Sequence, residues 1–263
     1  MALPGPSDSA TALVTGASSG IGEAIARELA ARGHGLTLVA RREQRLRALA
    51  DELVSLHGVR AEVIAADLSS ASAREEVADL VRSLGVEVEV LVNNAGFGGT
   101  GDRERLLAMV ELNCVALLDL QARYLPRMVE RGRGAVINMA STAAFQPLPG
   151  TATYAATKAF VLSLSEAMHE ELKGTGVTLT AVCPGPVKTE FMGAAGLDQA
   201  EEQVPGLFWM SAEDVAKAAV DAAEKGKRAV VPGLLNRAGA ITGQHTPRTL
   251  ALPLAKRVWR QAV

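Results

Sequence analysis

Cysteine, aromatic side chains and uncompensated charge are all scarce in this chain of 263 residues. The two cysteines, Cys114 and Cys183, each lie in an apolar run, where an unmodified thiol behaves as a small core side chain. A disulfide framework is thereby excluded, and a reduced, cytoplasmic setting is expected. His34, His57, His169 and His245 are scattered, with no cysteine or carboxylate beside them at metal-ligand spacing, so no metal site is expected. A formal charge of -2 offers no global field for nucleic acid, and none is expected as a partner. The N-terminus has neither a basic stretch nor a long apolar one, and residues 1–9 read as a short disordered lead. Aromatic residues are 3% of the chain while 48% is hydrophobic, so a large core must be built mainly from Ala, Val and Leu. That suits helices packed tightly on a sheet.

Short β-rich runs recur from end to end: Ala12–Thr15, Leu36–Ala40, Glu62–Ala65, Val88–Val92, Ala135–Met139, Thr178–Val182 and Arg228–Val231. Between them lie amphipathic or Ala-rich stretches, Ile21–Arg32, Arg42–His57, Ser72–Leu84, Arg105–Arg131, Tyr154–Lys173 and Ala212–Lys225. Such alternation implies right-handed crossovers and a seven-stranded parallel sheet covered on both faces, a doubly wound (Rossmann) α/β fold. No linker or repeat divides the chain, so a single domain is expected over residues 10–235, with 236–263 as a C-terminal extension. The irregular stretch Gly185–Met210 is long for a connection and reads as a candidate lid.

The first strand runs directly into Thr15-Gly16-Ala17-Ser18-Ser19-Gly20-Ile21-Gly22. Glycines between a strand and a helix let the backbone approach a pyrophosphate at the helix start; the alternative is a tight turn with close helix packing. The second strand ends in Ala40-Arg41-Arg42, where an NAD enzyme usually carries an acid for the ribose hydroxyls. A guanidinium there matches a 2′-phosphate, which favours NADP(H) over NAD(H). Arg41, beside the strand end, is the expected phosphate contact, while Arg42 fits a solvated helix start.

With these residues the chain resembles the classical short-chain dehydrogenase/reductase family over about residues 10 to 231. The motifs are TGASSGIG at Thr15–Gly22, Asp67-Leu68, Asn93-Asn94-Ala95-Gly96, Asn113, Ser141, Tyr154-Ala155-Ala156-Thr157-Lys158, and Pro184-Gly185-Pro186 leading through Val187 to Thr189. The resemblance implies that Tyr154 is the general acid/base, that Ser141 hydrogen-bonds the substrate carbonyl, and that Lys158 holds the nicotinamide ribose. Asn113 is similar to an Asn that braces a water in the proton relay. Asp67 and Leu68 would contact the adenine, Asn94, Ala95 and Gly96 would line the cofactor cleft, and Pro184, Gly185, Val187 and Thr189 would meet the nicotinamide end. Ser18, Ser19 and Ile21 join the glycines of the phosphate turn in this set. Ser19 stands where many NADP-preferring relatives carry Arg or Lys, and the Gly96 to Asn113 connection looks short for the family.

The residues themselves support that chemistry. Hydride arriving at a carbonyl carbon leaves negative charge on oxygen, which needs one donor to orient it and one acid to protonate it. Tyr154 and Lys158 are four residues apart and share a helix face, so the ammonium is expected to lower a phenol pKa that starts near about 10. Without the glycine turn, the pair would read as a half-buried aromatic and a solvated charge. Phe97, Ala143, Phe145, Leu148, Pro149, Phe191, Met192, Leu207, Phe208 and Trp209 follow the fourth, fifth and sixth strands as an apolar pocket set, pointing to a hydrophobic ketone, aldehyde or alcohol. A dinucleotide-retaining epimerase or dehydratase, and a non-catalytic NADPH-binding regulator, are the competing classes. Residues 236–263 carry Arg237, Arg248, Lys256, Arg257 and Arg260 and no acid. Pro247 and Pro253 interrupt their apolar face, which argues against membrane contact and for a helix packed on the domain or an oligomer interface. The resemblance implies a homodimer or homotetramer.

Overall fold

The computed structural model describes residues 3–191, 193 and 204–262. Its first half alternates β1 (Ala10–Thr15), α1 (Gly20–Ala31), β2 (Leu36–Ala40), α2 (Glu43–His57), β3 (Ala61–Ala65), α3 (Ala71–Ser83) and β4 (Glu87–Asn93). The second half continues with α4 (Arg103–Val110), α5 (Leu117–Arg131), β5 (Gly134–Met139), α6 (Ala152–Glu171), β6 (Val177–Val182), α7 (Ala212–Glu224), β7 (Ala229–Val230), α8 (Leu234–His245) and α9 (Arg248–Ala262). The strands form one parallel sheet in the order β3-β2-β1-β4-β5-β6-β7. Strand order reverses between β1 and β4, and the crevice beyond their carboxyl ends is where a doubly wound sheet receives ligands.

Both faces of the sheet are dry. β1, β2 and β5 are buried at every position, as near-continuous apolar runs require when helices cover both sides. Alternation along β1 sends Ala12 and Val14 to the face covered by Ile25 and Leu29 of α1 and Val215 and Val220 of α7. Leu13 goes to the other face, with Val77 and Val81 of α3 and Leu120 and Met128 of α5. Small side chains let α1 and α7 come close. Ser70, Asp102 and Ser211 start α3, α4 and α7 by accepting from Ala73, Arg105 and Asp214 backbone N–H groups.

Two features differ from the sequence expectation, the long fourth helix and the N-terminal lead, while the tail is helical as expected. Arg105–Arg131, read as one helix, is split by a π-helical turn at Glu111–Ala116, which widens the helix around the buried Asn113. The lead lies along the domain: Leu3 packs against the core, Pro4 is buried, and Arg133 donates to the Gly5 carbonyl at 2.8 Å. The tail is helical through Pro253, which sits inside α9 without ending it. Asn236 of α8 is buried and donates to Phe208 O at 3.1 Å. The ends of the candidate lid are pinned together, Lys188 N donating to Met210 O at 3.1 Å and Met210 N to Pro186 O at 3.1 Å. Part of that lid, Met192 included, and the side chains of Leu254, Arg257, Val258, Trp259 and Arg260 lie outside the described residues.

Candidate active site

A cleft of about 560 Å³ runs along the carboxyl ends of β2, β1, β4, β5 and β6. At its centre is the glycine turn. Gly16 has φ 66°, and a Cβ on it would fall 2.7 Å from Asn94 Nδ2, so only glycine keeps the turn this close to β4. Gly22 lies against the Gly16 carbonyl and serves close packing of α1; it does not line the cleft among the described residues. Asn94 Nδ2 donates to Thr15 O (3.0 Å) and Gly16 O (3.3 Å), while Thr15 Oγ1 accepts from Asn94 N (2.9 Å) and Ala95 N (3.0 Å). These bonds tie the turn to β4. Ser19, preceding α1, gives no side-chain cap, so the first N–H groups of α1 remain available to an anion. The turn therefore fits the pyrophosphate of a dinucleotide.

At the end beyond β2, Arg41, Arg42, Asp67 and Leu68 line the cleft. Arg42 is more than a solvated helix start. Its guanidinium donates to Ser18 Oγ (3.1 Å), Ser18 O (3.3 Å), Ser19 Oγ (2.5 Å) and Glu190 Oε2 (2.8 Å). Arg41 is exposed and helps to lower the Asp67 pKa; burial opposes that shift, and the Ser69 hydroxyl and amide outweigh it. Beneath them the buried Arg74 donates to Leu68 O (2.8 Å) and pairs with Asp119 (2.6 Å) and Glu111 (3.0 Å). Arg74 thus fastens the Asp67-Leu68 turn to the π-helical segment.

At the other end, Ser141, Tyr154 and Lys158 line the cleft together. Ser141 follows β5 in extended conformation, and its Oγ accepts from Ala143 N at 3.1 Å. The serine side chain interacts with the Tyr154 phenol, which brings two hydroxyls to one end of the cleft. Burial pushes the phenol above its ordinary pKa, with Ser141 opposing. This reverses the expected direction, and the geometry explains it: Lys158 Nζ lies 5.9 Å from the Tyr154 ring centre and donates to Met139 O at 2.7 Å. Lys158 is 7% exposed, and burial lowers its pKa to about 8. The thiols of Cys114 and Cys183 near it are pushed up by burial, Cys183 to about 12, so both are neutral at neutral pH.

Asn113 stands behind this group and is not a lining residue among those described. Its side chain holds the Phe97 backbone from both sides, Oδ1 accepting from Phe97 N (3.1 Å) and Nδ2 donating to Phe97 O (2.9 Å), with Thr157 Oγ1 also accepting at 3.1 Å. Thr157 Oγ1 donates to Tyr154 O at 2.8 Å. The amide thus links the Phe97 wall to the helix that carries the phenol.

Residues 10–200 match the family described as short chain dehydrogenase. The chain belongs to that family. A short-chain dehydrogenase from Sphingobium yanoikuyae, solved in complex with NADPH, is 35% identical and superposes with a TM-score of 0.78 over 96% of each chain. The bulky-bulky ketone specific alcohol dehydrogenase from Comamonas testosteroni is 31% identical, with a TM-score of 0.74 over 96% of this chain and 94% of that one. The very-long-chain 3-oxoacyl-CoA reductase of Anas platyrhynchos is 36% identical over 197 residues, 71% of this chain and 62% of that protein. The match therefore spans less than two thirds of that relative.

The pocket of this short-chain dehydrogenase is narrower in composition than the apolar set read from the sequence. Phe97, Leu148 and Phe191 line the cleft, joined by Leu112 and Thr151. Ala143, Phe145 and Trp209 do not line it among the described residues. Phe145 packs instead on the core of Val161 and Leu162, Ala143 is spent on the Ser141 hydrogen bond, and the Trp209 indole donates to Val204 O at 3.1 Å. Leu207 points to solvent, 77% exposed. Arg74, Glu190 and Asn236 carry no local sequence signal, because their bonds to Asp119, Arg42 and Phe208 span 45, 148 and 28 positions. No helix among the described residues is long and apolar enough to cross a membrane.

Proposed function

We propose that this short-chain dehydrogenase is an NADP(H)-dependent carbonyl reductase or alcohol dehydrogenase acting on a hydrophobic ketone, aldehyde or secondary alcohol, with Tyr154 as the general acid/base. One observation carries the reading: Ser141 after β5 and Tyr154 and Lys158 of α6 come together in the cleft that the glycine turn also lines. Bound nicotinamide supplies or accepts the hydride. Ser141 orients the carbonyl oxygen, Tyr154 delivers the proton to it, and Lys158, fixed by Met139 O, holds the nicotinamide ribose. A protonated phenol paired with a serine is more than a regulatory binder needs, which favours catalysis. Arg41 and Arg42 at the end of β2, and the NADPH held by the Sphingobium relative, support NADP(H). The ketone-specific Comamonas relative and the apolar Phe97, Leu112, Leu148 and Phe191 support a hydrophobic substrate. Exposed Val115, Leu118 and Phe160 on the π-helical turn, α5 and α6 support a homo-oligomer joined through those faces.

Thermal unfolding with NADPH or NADH, followed by turnover of a carbonyl panel, tests the proposal. NADPH at a hundred times its dissociation constant should add about 2.7 kcal/mol of stability. Equal shifts with both cofactors would sink the NADP(H) preference, and turnover confined to small charged carbonyls would sink the substrate class.

A further inference from the structure

Glu190 follows the Thr189 that lines the cleft, and its carboxylate lies between two arginines of the second β–α unit. Arg42 donates to Oε2 at 2.8 Å, and Arg45 donates to Oε1 at 2.8 Å and Oε2 at 3.0 Å. Arg42 also grips Ser18 and Ser19 of the phosphate turn, so the bridge spans the corner beyond the end of β2. Glu190 and Arg42 both line the cleft. Two guanidiniums converging on one oxyanion are a phosphomonoester site in chemistry, and here a carboxylate of the same chain fills it. The side chains are 56% exposed for Glu190, 43% for Arg42 and 51% for Arg45, so water screens the pairs and the carboxylate is readily displaced.

We infer that Glu190 is an internal competitor for the 2′-phosphate of the cofactor: it occupies Arg42 and Arg45 when no phosphomonoester is present and must leave them when one binds. Glu190 is then a specificity-determining residue that weakens binding of the 2′-phosphorylated dinucleotide without touching the rest of it. The inference rests on the NADP(H) reading above.

Calorimetric titration of wild type and Glu190→Gln with 2′,5′-ADP and with 5′-AMP tests it, with thermal unfolding of both proteins as a check on folding. Glu190→Gln should tighten 2′,5′-ADP by about threefold to tenfold, the scale of two exposed ion pairs, leave 5′-AMP unchanged, and lose the gain as salt rises. Equal gains for both nucleotides, or an unchanged or weakened affinity for 2′,5′-ADP in a folded variant, would overturn it. Equal wild-type affinities with a gain only for 2′,5′-ADP in the variant would retire the NADP(H) preference and leave the Glu190 role standing. A wild-type preference for 2′,5′-ADP that the substitution does not alter would do the reverse.

Discussion

At the β2 end of the cleft, the side chains of Arg42, Arg45 and Glu190 are 43%, 51% and 56% exposed, whereas at the other end Lys158 is only 7% exposed. In the first setting charges attract through water, and one oxyanion can replace another at small cost. In the second no carboxylate among the described residues pairs with Lys158; the ammonium has a carbonyl, and its proton is held against burial. One cleft thereby separates two tasks. Affinity is tuned where solvent reaches, and proton affinity is tuned where it does not.

Removing the Tyr154 hydroxyl at the dry end should have the largest effect. Tyr154→Phe is expected to lower kcat by about 100-fold to 10 000-fold while NADPH affinity, measured by fluorescence titration, stays within about twofold. A loss shared equally between binding and turnover would mean that the phenol acts mainly as a cofactor contact.

Lys158→Met probes the same end through stability. The folded pKa of about 8 lies below the ordinary 10.5, so unfolding takes up a proton between those values and the wild type is penalised at every pH below them. The penalty is relieved as pH rises from about 8 to 10.5. Free of it, the variant should be more stable than wild type at pH 7 by up to about 3 kcal/mol, less the bond to Met139, while turnover collapses. Urea unfolding at pH 7 and pH 10.5 checks this; a gain that persists unchanged at the higher pH would show that the buried charge is not its source.

The wet end should respond least. Arg42→Ala is expected to weaken NADPH by about tenfold and NADH by less than about twofold, with a shallower dependence of NADPH affinity on salt. Matching losses for the two cofactors would erase the contrast between the ends and assign Arg42 to holding Ser18 and Ser19 in place.

What could be read in the sequence follows the range of the interactions. All seven strands were legible because each is a short apolar run between punctuating glycines and helices, and the phosphate turn because glycine is demanded locally. The π-helical turn was not, since Glu111–Ala116 keeps the apolar spacing of an ordinary helix and widens around contacts from Phe97 and Thr157. The direction of the Tyr154 shift was missed because spacing shows which face a lysine shares and not that its ammonium turns to Met139. The Arg42–Glu190 bridge joins residues 148 positions apart, a pairing that no local pattern announces. Phe145 looked like a pocket aromatic by its place after β5, and the core of Val161 and Leu162 claims it instead.

Asn236 fills the space beside Gly185, where any side chain would collide with its amide, and it ties that loop to Phe208. This gives the molecule an order of assembly. The glycine turn is complete once β1, α1 and β4 have met, and the serine, tyrosine and lysine arrive together on the contiguous β5–α6 unit. The loop at Gly185 cannot be locked until α8 has been synthesised far downstream. On a ribosome, where chains emerge from the N-terminus at about 5–20 residues per second, the glycine turn is synthesised well before the helix that holds the Gly185 loop.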